Sequence, residues 1–264
     1  MATISSLCTT TTPFAPDITG LAREGSCQRV IKEMVAGIGP FAGLSSAIIQ
    51  NLIDAIRVED FDQGELICRM GEPNDQLCIV GHGCVLLSCF SPSGGSLLRV
   101  IGPRGAFGEV LVSRRLQGHC QVRAHSDTRL YKLCEPDLLR LSRSEPEFAI
   151  AVARLALDWC KQAQVELEDM VFLNARQRVV KLLDRLSGDG AHTGLSSHAP
   201  LLQFSQEELA RMVGISREHI NAIFHELERA GVIRIRPRSI RVYPESLLKV
   251  AAEEGLAVGD DLVW

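Results

Sequence analysis

Arg217, Glu218, His219 and Asn221 fall within the first turn and a half of a helix that Ser216 is placed to cap. They carry a guanidinium fork, a carboxylate, an imidazole and an amide, and N-terminal side chains of this kind read the edges of bases in a major groove. Ile220, Ile223, Phe224 and Leu227 recur at helical spacing on the other side, and Gly231 marks the end. The preceding helix starts at Ser205, where a capping box with Glu208 satisfies two orphan amides. Leu209, Ala210 and Val213 give that helix a short apolar stripe. Gly214 then interrupts it, since a tight reversal needs positive φ without a steric cost, and Ile215 follows as a core plug. Two short helices, a Gly-containing turn and a small Ala210 at their crossing form the helix-turn-helix pattern.

Positions 232–243 alternate Val-Ile-Arg-Ile-Arg and Ser-Ile-Arg-Val-Tyr around Pro237 and Arg238, which reads as a two-stranded hairpin. Ile233, Ile235, Ile240 and Val242 can face the helices, leaving Arg234, Arg236, Arg238 and Arg241 outside or at the tip. Cations so placed suit contact with phosphate, because they release counterions from DNA. The hairpin makes the unit a winged helix. The whole chain of 264 residues carries a net charge of only −4 and does not announce nucleic-acid binding. The local count does: 214–243 holds six Arg, no Lys and three Glu.

The elements that must carry this reader lie upstream. A hydrophobic content of 46% supports real cores, and 23% charged residues is ordinary for a soluble chain. No run of 18 apolar residues could span a bilayer, and the first residues lack a secretory signal, so a cytoplasmic protein is expected. In that compartment the nine cysteines are expected as free thiols. Residues 1–27 are Thr- and Ser-rich and read as a mobile leader. A short helix over 28–38 and an amphipathic one over 46–56, capped by Ser45, follow. From Phe61 to about Leu141, short apolar segments alternate with glycines, as in a small antiparallel barrel or roll. A long helix over 145–173 has two apolar faces. Phe148, Val152, Leu155 and Trp159 can cover the roll, whereas Ala149, Ala153, Ala156 and Cys160 ask for a partner, most simply a second copy. The division expected is 28–144 for the roll with its flanking helices, 145–173 for the long helix, 174–243 for the winged helix and 244–264 for an extension. Within that extension Leu247, Leu248, Val250 and Ala251 can make a short helix of no assigned role.

In this order the motifs make the chain resemble the CRP/FNR superfamily of bacterial transcription regulators over about 40–243. The carrying residues are the Pro40-Phe41-Ala42-Gly43-Leu44-Ser45 entry, Gly64-Glu65-Leu66, Gly71-Glu72-Pro73 with Asp75, and Ile79-Val80 with Gly83. Further on come Gly105-Ala106-Phe107-Gly108-Glu109, Val122-Arg123-Ala124, Phe172-Leu173 and, most specific, Gly214-Ile215-Ser216-Arg217-Glu218. The resemblance implies an α+β architecture: an N-terminal antiparallel β-roll of the cyclic-nucleotide-binding type, a long dimerisation helix and a C-terminal winged helix-turn-helix. It also implies a homodimer on palindromic double-stranded DNA, with RNA polymerase as a further candidate partner. Arg217 matches the arginine that donates to guanine O6 and N7, and Glu218 the carboxylate that accepts from a cytosine amino group. Where family members place a second arginine one turn later, this chain has Ala222, so its half-site should differ; Asn221 and His219 are candidate substitutes.

The sensor departs further. Cyclic-nucleotide members hold the cyclic phosphate and ribose with a Gly-Glu pair and, about ten residues on, an Arg-Ser pair. Gly108 and Glu109 match the first pair, but Gly118 and His119 stand at the second, and Arg114 lies nearby but ahead of the expected strand. Without the fixed arginine the phosphate loses a strong charge-assisted bond, so cyclic AMP is not the expected effector, and none is assigned. Cys8 and Cys27 are too sparse for an iron–sulfur site, whereas His82 or the His119-Cys120 pair could ligate a haem. No catalytic triad, zinc or P-loop pattern occurs, and an enzyme is not expected. A ligand-binding adaptor that no longer reads DNA, or a haem or redox sensor, are the alternatives to a DNA-reading regulator.

Overall fold

The computed structural model describes residues 31–33, 35, 37–72, 75–91, 96–108, 120–187, 201–202, 204–236 and 239–256. The expected leader lies outside them. After helical residues at 31–33 and 35 and a 3-10 turn Gly39–Phe41, α1 spans Ser46–Ala55, with the Ser45 hydroxyl accepting from the Ile48 amide.

Eight strands then form two four-stranded antiparallel sheets. They are β1 Arg57–Phe61, β2 Leu66–Cys68, β3 Gln76–His82, β4 Val85–Phe90, β5 Ser96–Ile101, β6 Ala106–Phe107, β7 Cys120–Ala124 and β8 Thr128–Cys134. One sheet runs β1-β8-β3-β6 and the other β2-β7-β4-β5. The roll starts earlier than the glycine pattern suggests. All of β1 except Phe61 is exposed, so it has no apolar alternation to betray it. It is held instead by its ladder to β8 and by ion pairs of Asp60 with Arg129, at 2.6 Å, and of Glu59 with Lys132.

The central strands are apolar on both faces because each sheet is covered twice. On β3, Cys78 and Val80 point between the sheets with Phe61, Val85, Phe107 and Leu130. Leu77 and Ile79 point out, onto a cluster built with the helices. Those helices include α2 Glu135–Ser144, which no expectation had placed, and α3 Pro146–Phe172. Phe148, Ala151 and Leu155 of α3 are buried there, and Phe148 stacks on Phe41 with centroids 6.0 Å apart. The other side of α3 exposes Ile150, Leu157, Leu167 and Val171, each more than half accessible.

Beyond the rod, α4 Ala175–Ser187, β9 Leu201–Leu202, α5 Gln206–Val213, α6 Arg217–Arg229, the hairpin β10 Ile233–Arg236 and β11 Ser239–Val242, and α7 Pro244–Glu253 share one core. The extension is therefore structural: Leu247 and Ala251 of α7 are buried in that core, and Arg176 of α4 pairs with Glu254 just past it. The outer face of the second sheet joins the same core through Leu86 and Leu98, so the roll is the seat of the winged helix.

The expectation of free thiols is corrected at one pair. Cys89 and Cys120 are register partners on β4 and β7, their Cα atoms 4.5 Å apart, and they form a disulfide. A separation of 31 residues hides this, since only strand register brings the two together. It also removes Cys120 as an iron ligand. Cys78 and Cys84 behave as small hydrophobes: burial pushes the Cys78 thiol up to about 12 and raises that of Cys84 as well. Among the described residues no cluster of His, Cys, Asp or Glu could hold a metal, and no helix is long and apolar enough to cross a membrane.

Candidate nucleic-acid interface

The pair α5 and α6 forms as the residue types dictate. The Ser205 hydroxyl accepts from the Glu208 amide at 3.2 Å while the Glu208 carboxylate accepts from the Ser205 amide at 2.7 Å. At the turn Gly214 adopts φ 73° and ψ 40° with open space around its Cβ position, so backbone conformation alone demands glycine. The Ile215 amide then donates to the Ala210 carbonyl at 3.0 Å and closes the helix. Ser216 caps α6 by accepting from the His219 amide at 3.1 Å. Ile220, Ile223, Phe224 and Leu227 are buried against Leu209, Ala210 and Val213.

Arg217, Glu218, His219 and Ala222 are exposed on one end of α6, and Asn221 is half-buried beside them. The Glu218 carboxyl is held below the usual carboxylate range, first by its own backbone amide and then by the Ser216 hydroxyl, so it stands as an acceptor-only group. Asn221 accepts from the Gln206 side chain at 3.3 Å. Ser205 and Ser216 lie at the exposed starts of the two helices with their hydroxyls engaged in capping.

In the wing, Arg234 and Arg236 are exposed, and Arg238 lies outside the described residues. Arg241 departs from expectation. It sits on the middle strand, opposite Arg234 on one side and Leu201 on the other, and its Nε is buried without a hydrogen-bond partner. The third strand β9, invisible as a two-residue segment, pairs with β11 and makes a middle strand of what would have been a free edge. Glu228 ties the wing to α6 by accepting from the Ile235 amide at 2.9 Å. Neither Gln206 nor Glu228 is flagged by the sequence, because each acts on a residue of a different element.

The roll meets this unit from the other side. His125 stacks on Phe204, centroids 4.5 Å apart, and its Nδ1 lies 3.9 Å from Glu208. Arg211 of α5 lies over the Phe90 ring at the end of β4, 5.7 Å from its centroid. Glu166 of α3 sits between Arg99 of the roll, at 3.5 Å, and Arg185 of α4, at 3.6 Å.

Of the four effector-pocket candidates only Gly108 is described; Glu109, Arg114 and His119 lie outside the described residues. Gly108 has φ 144°, and a Cβ there would come within 2.2 Å of the Gln76 carbonyl oxygen. Close approach to β3 accounts for the glycine without a ligand.

Comparison with known proteins agrees with this layout. Residues 58–145 match the cyclic nucleotide-binding domain family and 177–249 the Crp-like helix-turn-helix domain family. The chain is 30% identical over 213 residues to the cyclic AMP receptor protein of Thermus thermophilus, covering 80% of this chain and 95% of that one. It is 26% identical over 211 residues to a CRP-like cAMP-activated global transcriptional regulator of Mycobacterium tuberculosis, covering 80% and 94%. A solved CRP/FNR-family transcriptional regulator from Thermus thermophilus superposes with a TM-score of 0.60 at 26% identity, over 77% of this chain and all of that one. The c-di-GMP-responsive regulator CLP of Xanthomonas campestris shares the fold, with a TM-score of 0.65 at 21% identity over 75% and 99%.

Proposed function

The chain belongs to the CRP/FNR family of transcription regulators, and from that premise we propose that it works as a homodimer reading a two-fold symmetric DNA site through α6. It is a DNA-binding regulator with a cyclic-nucleotide-binding-type domain ahead of the reader. The finer claims concern residues. Arg217 donates bidentately to a guanine and Glu218 accepts from a cytosine amino group, while His219 and Asn221 contact neighbouring edges. Ser205 and Ser216, with Arg234, Arg236 and Arg238, face phosphates and set register. The single observation that carries this is the Arg217–Glu218 couple exposed at the capped end of a rigid helix.

The second copy pairs along α3. Ile150, Ala153, Leu157, Cys160, Gln164, Leu167 and Val171 are all exposed and follow a heptad, the spacing of a two-stranded seam. This stripe is shifted from the Ala149/Ala156 face expected from sequence, because those two positions turn partly toward the roll. Pairing sets the two α6 helices about 34 Å apart, one turn of DNA.

Selection of bound sites from random DNA tests the reading. Arg217→Ala should remove discrimination at one base position per half-site, about 1–3 kcal/mol, and leave the others intact. Full discrimination at every position in that variant removes Arg217 from the interface. The ligand-binding adaptor would show only salt-dependent, sequence-blind retention.

No effector is assigned. The relatives named for cyclic AMP make it the first nucleotide to titrate, and the missing arginine argues for no binding at micromolar concentration. A redox-responsive form of the same regulator is favoured by the Cys89–Cys120 disulfide, since Phe90 beside it seats Arg211 of the reader. Reduction by a dithiol that changes affinity for the selected site would support that form; identical affinity in both states would remove it.

A further inference from the structure

The first residue of α5 faces the reading end of α6. Gln206 donates from Nε2 to Oδ1 of Asn221 across 3.3 Å, and both side chains are half-buried. Asn221 lies one turn beyond Arg217, on the same face, and Ala222 one turn beyond Glu218. An asparagine amide that reads adenine needs both of its ends free, Oδ1 to accept from N6 and Nδ2 to donate to N7. With Gln206 on Oδ1, the end left for the groove is Nδ2, a donor with no acceptor beside it.

We propose that Gln206 is a positioning residue that makes Asn221 a donor-only reader, and that Asn221 and Ala222 together select thymine. The inference rests on the groove assignment of α6 made above. Thymine presents to the major groove an acceptor, O4, next to a methyl group. The outward Nδ2 of Asn221 meets O4, and the exposed methyl of Ala222 meets the C5-methyl. Guanine and adenine offer the amide an acceptor at N7 but no methyl for Ala222; cytosine places an amino donor against the amide donor. Ala222, which removes a base-contacting arginine, therefore supplies half of a different contact.

Reversing the polarity of the supporting residue tests this directly. Glutamate at 206 can only accept, so Gln206→Glu draws Nδ2 of Asn221 inward and turns Oδ1 to the groove. Site selection should then show the preference at this one position move from thymine toward cytosine or adenine, with the thymine ratio falling roughly tenfold. Gln206→Met, which holds neither end, should flatten the preference without reversing it. Ratios between bases within each variant cancel any uniform loss of affinity from the added charge, and circular dichroism of both variants checks that α5 stays folded. An unchanged thymine preference in Gln206→Glu overturns the proposal. An Arg217→Ala arm separates the two levels. If that variant loses one position while Gln206→Glu changes none, only the role of Gln206 fails. If neither changes any position, the placement of α6 in the groove fails with it.

Discussion

Two helices of this protein leave one face uncovered, and the two faces are opposites. On α6 the uncovered residues are Arg217, Glu218 and His219; on α3 they are Ile150, Leu157, Leu167 and Val171. A polar face is content in water and can wait for DNA, whose phosphates and base edges exchange with solvent at little cost. An apolar face is not. Each exposed leucine forgoes about 2 kcal/mol that burial would return, so the stripe is a standing demand for a partner. The contrast implies different partners: a reversible, salt-sensitive one for α6 and a lasting one for α3.

Five changes would break or sharpen that contrast, taken from the largest effect down. Leu157→Asp puts a charge at the centre of the proposed seam on both copies. It should convert a dimer to a monomer in sedimentation and weaken binding to a symmetric site at least roughly 100-fold, since two buried leucines at about 2 kcal/mol each are lost. A dimer that survives would show that some other surface joins the copies. Gly214→Ala forces a Cβ onto a backbone at φ 73° and should cost about 1–2 kcal/mol of stability in thermal or urea melts, without touching α3.

Removing Arg234 or Arg236 should weaken all DNA sequences alike and lower the slope of log affinity against log salt by about 1 each. Arg241→Ala should change that slope less, because Arg241 is half-buried on the middle strand with its Nε shielded from solvent. The smallest effect is with pH. The Glu218 carboxyl is depressed from its ordinary 4.5, so it stays ionised above that value and the stability it lends is lost only as pH falls below it. Discrimination at the cytosine position should therefore stay flat from pH 8 down to about 5; a loss near neutrality would remove Glu218 from that contact.

The reading head is legible in the chain because every signal in it is local. Ser205 with Glu208, Gly214, Ser216 and Gly231 are caps and turns whose residue types fix their own backbone, and the apolar stripes of α5 and α6 repeat within a few residues. The strands of the roll that alternate or run apolar are legible for the same reason. β1 is not, since four of its five residues face water, and neither is β9, two residues long.

Sequence alone determined the helix-turn-helix, the basic wing and the family, for these rest on residue types at short spacing. Tertiary structure decided what depends on register and on neighbours far along the chain. The Cys89–Cys120 bond exists because β4 pairs with β7, Arg241 sits on a middle strand because β9 covers an edge, and α7 belongs to the reader because α4 receives it. The Gln206–Asn221 bond is of the same kind: two helices must cross before one amide can orient the other. A turn or a cap is an interaction of a segment with itself, but a pairing between distant segments has no energy until the fold has closed around it.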